Sequence, residues 1–562
     1  MRAFDVAWPF VLVAMALSGC GPTDTSCSEV KTCAPHGPMG SVGHDAGAQG
    51  GLDSGRDAAH DAASTTGGAV RDAIAERARV CDVSAAPSDE PCLVSDEFAV
   101  FVAPGFTDGD GSKASPARTI SAGLAAAAAS SKRRKVIVCN GSYDESVTVS
   151  APPPGIGLYG GFRCPSAANP WTYDATSRPL VRPSAGGPAL HVDGAAQGFV
   201  VADFAFSAVD ATSPGGSSIG AIVTDSVGVV LRRVSIVAGK GAAGQKGDDG
   251  TDGADGAEAG PSQRGIDARC VHDTFHGLVW PGGSWPGTSS CGSRGGKGGD
   301  ARDTYPTSGV AGSPDTNVTP AGLTNGSSGQ TTRGLFAKDA HAGSPGNPGD
   351  DGAAASALGT FSSSGYSPAN GHDGSTGFPG QGGGGGGGTM PAGPDGTGIL
   401  CYGATGGAGG MGGCGGNPGR GGGGGGASIA LLVWDSMLTF DDGISIAAAD
   451  AGNGGNGGNA GNGGTGRAGG AGGLPALSGN LSVGRGGGGG YGGNGGNGGS
   501  GSGGSGGPSF ALVFHGPVPA GGVSARFGKG GAKGAGGSLK GSGTNPAPDG
   551  ADGPSRATFQ VM

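Results

Sequence analysis

The sequence predicts an all-β chain: a single-stranded parallel β-helix interrupted by large glycine-rich insertions. Three observations lead there. A 25-residue stretch recurs without gaps 210 residues further on. Short apolar runs alternate with turn residues over the first half. Glycine is unevenly divided, with 28 of 133 in residues 1–238 and 105 in the remaining 324. The second part therefore has few side chains to bury. One large hydrophobic core spanning all 562 residues is excluded on that ground.

The repeat pairs GGSSIGAIVTDSVGVVLRRVSIVAG (215–239) with GGASIALLVWDSMLTFDDGISIAAA (425–449), ten of 25 positions being identical. It places Val230 over Phe440 and Val234 over Ile444. A third copy, GGPSFALVFHGPVPAGGVSA, starts at 506, and a shorter one starts at 186. If the 29 residues between the first two starts are one rung, the later intervals hold 181 and 52 residues in excess. Both excesses are glycine-rich and both follow the same strand. Insertions at one repeated corner map to one face of a solenoid. Residues 215–239 and 425–449 are then adjacent rungs, with Ile219, Val223, Val234 and Ile236 against Ile429, Val433, Ile444 and Ile446. A β-sandwich with a disordered glycine-rich region is the alternative.

The elements follow in order. Phe98 to Val102 reads as a strand, and Asp108 to Ser115 as a polar turn. Pro116 stands at a helix start, with Ile120, Leu124, Ala127 and Ala128 at helical spacing. Val136 to Val138 and Val147 to Val149 are strands around the Asn140-Gly141 turn. Ile156 to Tyr159, Ala189 to Val192, Phe199 to Phe206, Ile219 to Val223 and Val227 to Val237 complete the set. The order Asp110-Gly111-Ser112, Ser115-Pro116, Thr119-Ile120, Val136, Val138, Gly141, Tyr143, Glu145, Val147 resembles the N-terminal module of right-handed parallel β-helix proteins of the pectate-lyase-like group. That resemblance covers about 55 residues. It implies a right-handed coil whose helix covers the open end of the stacked core, as solenoid caps do.

The glycine-rich segments keep their own period. Glycine occupies every third position from Gly241 to Gly256 and again from Gly343 to Gly352. Runs of four to six triplets with almost no proline do not hold a collagen triple helix. Two readings stay open: flexible linker, or bundled polyproline-II-like helices, whose close approach needs a missing Cβ. GNGGNGGNAGNGG and GGYGGNGGNGG resemble the repeats of PGRS-type surface proteins.

The N-terminus carries an address. Arg2 precedes an 11-residue apolar run, Ala7 to Leu17, too short to span a bilayer. Leu17-Ser18-Gly19-Cys20 resembles the bacterial lipobox, which implies lipidation of Cys20 and export to the outer membrane or cell surface. The divisions are then a signal peptide (1–19), a disordered tether (20–94), β-helix with cap helix (95–240), a glycine-rich insertion (241–424), a rung (425–450), a second insertion (451–505), and a last rung with a glycine-rich C-terminal segment (506–562). A net charge of −10 argues against nucleic acid as a partner, and none is expected.

Eleven cysteines less Cys20 leave ten. An even set in an exported chain reads as disulfides. Neighbour pairing gives Cys27–Cys33, Cys81–Cys92, Cys139–Cys164, Cys270–Cys291 and Cys401–Cys414, although sequence alone does not fix connectivity. No CxxC occurs, and no motif calls for a metal or cofactor.

Candidate chemistry is sparse. β-Helix polysaccharide lyases and hydrolases use clustered carboxylates, and Asp193, Asp203, Asp225, Arg232 and Arg233 are available here. Asp225 recurs as Asp435, which reads more simply as a turn former, so no catalytic residue is assigned. The segment 270–291 holds Phe275, Trp280 and Trp285, two of five tryptophans. Such aromatics stack on sugar rings when exposed, or form a small core. The expected function is a non-enzymatic surface lipoprotein of adhesive or structural role, with the membrane, extracellular polysaccharide or surface proteins as partners. A β-helix lyase or hydrolase, and a flat glycine-rich ice- or glycan-binding face, are the alternatives.

Overall fold

The computed structural model describes residues 81–107, 109–166, 171–272, 278–302, 305–318, 336–393, 398–539 and 546–562. The signal peptide, Cys20, the Cys27–Cys33 pair and Phe275 lie outside these residues.

The chain is all-β, with its core in three parallel sheets. The first sheet stacks Ala99–Val102, Lys135–Cys139, Gly157–Phe162, Phe199–Ala202, Val229–Arg232, Leu438–Phe440 and Ala520–Gly521. The second stacks Gly141–Tyr143, Pro179–Val181, Ala205–Ser207, Ser235–Val237, Ser445–Ala447 and Ser524–Arg526. The third stacks Val147–Ser150, Leu190–Asp193, Ser218–Thr224, Ser428–Trp434, Ser509–His515 and Ser555–Val561. From Lys135 onward the chain visits first, second and third sheet in turn. Every ladder in these sheets is parallel, unlike the antiparallel sheets of a sandwich.

The distant copies of the repeat are neighbours. Ile219 pairs with Ile429, Val223 with Val433 and Ile236 with Ile446. Val223, Val234, Ile236, Val433, Ile444 and Ile446 lie in the central core, whereas Ile219 and Ile429 pack on the outer face of the third sheet. One detail of the alignment is corrected: Leu231, not Val230, pairs with Phe440. The expected long strands 199–206 and 227–237 are each broken at one left-handed residue, Asp203 (φ 62°) and Arg233 (φ 52°). The next corner holds Ala151, Asp225 and Asp435 at φ 43°, 46° and 46°. Asp225 and Asp435 are turn formers.

The cap explains its motif. The helix Ile120–Ala129 begins after Thr119, whose side chain accepts the Ala122 N–H, so Pro116 lies ahead of it. Glu145 reaches across to accept the N–H groups of Ile120 and Ser121 at 2.7 and 3.0 Å. Tyr143 is buried and donates to the Cys139 carbonyl at 3.0 Å. A Cβ on Gly123 would collide with Val102, so glycine lets the helix lie on the first rung.

The described residues of the glycine-rich insertions are ordered. They leave after second-sheet strands and return to third-sheet strands. Their hydrogen bonds run between segments at every third residue, the period of a polyproline II helix. The N–H groups of Gly244, Gly247, Gly250 and Gly253 donate to the carbonyls of Asn453, Asn456, Asn459 and Asn462 at 2.7–2.8 Å. Gly423, Arg420, Asn417 and Cys414 donate in the opposite direction to Gln245, Asp248, Thr251 and Ala254. The segment 406–425 is central: Gly407, Gly410, Gly413, Gly416 and Gly419 bond to a further segment, at Gly487 through Gly499. A Cβ on Gly415 would fall on the carbonyl oxygen of Gly377. Peripheral segments such as 241–256 therefore need one glycine per triplet, while 406–425, enclosed on more sides, mostly carries two. From Gly241 to Gly256 the segment extends about 47 Å at the polyproline II rise.

The insertions are not independent of the sheets. The hairpin Thr360–Ser362 and Gly365–Ser367 lies over the third sheet, with the Phe361 ring 5.3 Å from Phe559 and 6.1 Å from Phe510.

Candidate glycan-binding surface on the glycine bundle

At the distal part of the bundle the polyproline-like segments give way to short antiparallel pairs. Arg269–His272 pairs with Ile399–Tyr402, and Val279–Trp280 with Ala301–Arg302. Ala476–Ser478 and Leu481–Val483 form a hairpin beside the first pair.

The disulfides here correct two expected pairings. Cys270 is bonded to Cys401 and Cys291 to Cys414, in place of Cys270–Cys291 and Cys401–Cys414. Cys270 and Cys401 face each other across the antiparallel ladder, with Cα atoms 3.8 Å apart. Cys414 lies on the central segment, and its bond to Cys291 pins the 282–293 loop to the bundle. Proximity in sequence failed because the segments fold back on one another. Cys81 is bonded to Cys92 and Cys139 to Cys164.

The two described aromatics of the 270–291 segment have different roles. Trp280 is half-buried, its ring 5.7 Å from that of Tyr402. Trp285 is 40% exposed, and the Arg294 guanidinium sits 3.7 Å from its ring centroid. That cation holds the indole in place while leaving much of it in solvent. Nearby, Asp300 accepts the Gly282 N–H at 2.9 Å and pairs with Lys297 at 3.0 Å. Burial opposes ionisation of Asp300, but these donors outweigh it and hold the carboxyl below its ordinary value. Leu278, Val279, Leu474 and Leu477 are exposed at the same end. Arg294 and Tyr402 were missed in the sequence. Arg294 follows Cys291 by three residues, and Tyr402 adjoins Cys401, so the correct pairing would have drawn both in.

The lyase-like candidates do not form an open site. Asp203, 1% exposed, accepts from Arg233 at 2.6 and 2.8 Å and from the Tyr173 hydroxyl at 3.2 Å. Arg232 pairs with Asp89 at 2.9 Å and Asp441 at 3.4 Å. Asp193 accepts from Thr224 at 2.6 Å, and Asp225 is the left-handed corner residue that follows Thr224. The asparagines of the glycine repeats are also engaged. The side-chain oxygens of Asn453, Asn456 and Asn459 accept the N–H groups of Ala532, Ala535 and Ser538 at 2.8–3.0 Å.

Among the described residues no helix is long and apolar enough to cross a membrane. No family model matches the chain, and no curated protein and no solved structure matches it.

Proposed function

We propose that this chain is a non-enzymatic, lipid-anchored surface protein that uses its glycine bundle to hold a polysaccharide-contacting surface away from the membrane. The three sheets are read as a right-handed parallel β-helix, the hand that parallel crossovers overwhelmingly take. The observation that carries the reading is Trp285: half-exposed, braced by Arg294, and set far along a stapled, hydrogen-bonded arm. A partly exposed indole with a cation stacked on its ring suits a sugar bearing an acidic group. The sequence Leu17-Ser18-Gly19-Cys20 supports lipidation at Cys20 and an outer-membrane or cell-surface address.

The lyase reading is disfavoured because Asp203 and Arg233 satisfy each other within the wall of the coil. The ice-binding reading is weakened because the repeat asparagines bond backbone N–H groups of their neighbours. The test is retention of the protein on acidic cell-surface polysaccharide. Trp285→Ala should lower retention with unchanged thermal unfolding, whereas undiminished retention would overturn the assignment of this surface.

A further inference from the structure

We propose that the cleft between the Cys81–Cys92 loop and the Lys135 edge of the first sheet binds a small organic anion with an apolar body. The site lies at the capped end of the coil and is independent of the bundle surface. Its volume is about 340 Å³, within the range of small-molecule sites. Val83 and Phe98 supply apolar wall, with the fully buried Leu93 behind it, and Lys132, Arg134 and Lys135 supply three cations against one acid, Glu97.

Lys135 makes the cleft more than an apolar crevice. It stands in the row Ala99–Lys135–Gly157 on the outer face of the sheet and is only 6% exposed. Its Nζ has the Tyr159 hydroxyl at 3.4 Å and the Tyr159 ring centroid at 5.3 Å. Neither neutral group replaces the water an ammonium loses on burial. Among the described residues no carboxylate forms an ion pair with it, and Asp82 acts on it only through space. Burial accordingly pushes the Lys135 ammonium below its ordinary value. A carboxylate entering the cleft would complete the charge, while its apolar body covers Val83 and Phe98. The Cys81–Cys92 bond closes the loop that carries Val83, and Asp89 of the same loop is tied to Arg232 at 2.9 Å. The wall is thus held in place before any ligand arrives.

The experiment is calorimetric titration of the full chain with decanoate, decanol and decylammonium. Decanoate should bind at one site, decanol about tenfold or more weakly, as loss of a charged hydrogen bond implies, and decylammonium not at all. Lys135→Met should lower decanoate affinity by a similar factor. Val83→Trp, at a 59% exposed position on the rim, should block the cleft without touching the ammonium. If Lys135→Met does not fold, Val83→Trp decides. Absence of decanoate binding, equal affinity for decanol, or binding untouched by Val83→Trp overturns the proposal.

Discussion

The hydroxyl of Ser428 donates to the carbonyl of Gly239 at 2.7 Å and joins the two ends of the largest glycine-rich insertion. The same oxygen accepts the Ala449 N–H at 2.9 Å, where the next insertion begins. Ser218 and Ser509 repeat the arrangement, bonding Val209 with Gly239, and Ala449 with Gly528. The serine recurring in GGSS, GGAS and GGPS is therefore the clasp at the root of each arm.

Ser428→Ala removes a donor and an acceptor at a position with no solvent access. Groups left unpaired in burial cost about 1–3 kcal/mol. Urea denaturation followed by circular dichroism should show a loss of that size. An unchanged midpoint would mean that the sheet ladder alone closes the root.

Glycine-to-alanine substitutions should divide by depth in the bundle. Gly415→Ala places a methyl on the Gly377 carbonyl, whereas Gly488→Ala meets only the Asp339 carboxylate, at 3.5 Å. Limited proteolysis should cut the insertions of the first variant while sparing its sheets. The second should resist like the parent chain.

How much of this was legible in the sequence depends on what each residue interacts with. The rungs were readable because Ile219, Val223 and Ile236 meet copies of themselves at one fixed offset. The strands Gly141–Tyr143 and Pro179–Val181 were not, being three residues long and too short for an alternation. The corners at Asp203 and Arg233 were hidden because neither residue type advertises a left-handed backbone as glycine does. In the bundle, the triplet period was visible but its partners were not. Backbone hydrogen bonds between segments leave no side-chain signature beyond the missing Cβ. For the same reason Cys291 gave no sign that it would find Cys414.

Non-reduced peptide mapping of the full chain should link Cys270 to Cys401 and Cys291 to Cys414. Recovery of Cys270 linked to Cys291 would place the 282–293 loop elsewhere and separate Trp285 from the bundle.

Acid should loosen the bundle before neutral pH does. Asp255 is held below its ordinary value by the Thr465 N–H and side chain and by Arg467, Asp373 by the Gly421 N–H and Arg420, and Asp549 by the Gly536 N–H and Lys533. A carboxyl depressed on folding contributes stability above its unfolded value and loses it as pH falls through the folded one. Protease resistance of the insertions should thus be flat from about pH 5 to 8 and decline below about pH 4. A decline beginning on the alkaline side would point to other groups.

Order in the glycine-rich chain is the claim on which the arm, and hence the displayed surface, depends. Native-state hydrogen exchange of residues 406–425 tests it most directly. The amides of Gly407, Gly410, Gly413 and Gly416 are bonded to a neighbouring segment and should exchange orders of magnitude more slowly than in a free chain. Exchange at free-chain rates across 406–425, with the β-sheets still protected, would contradict the account.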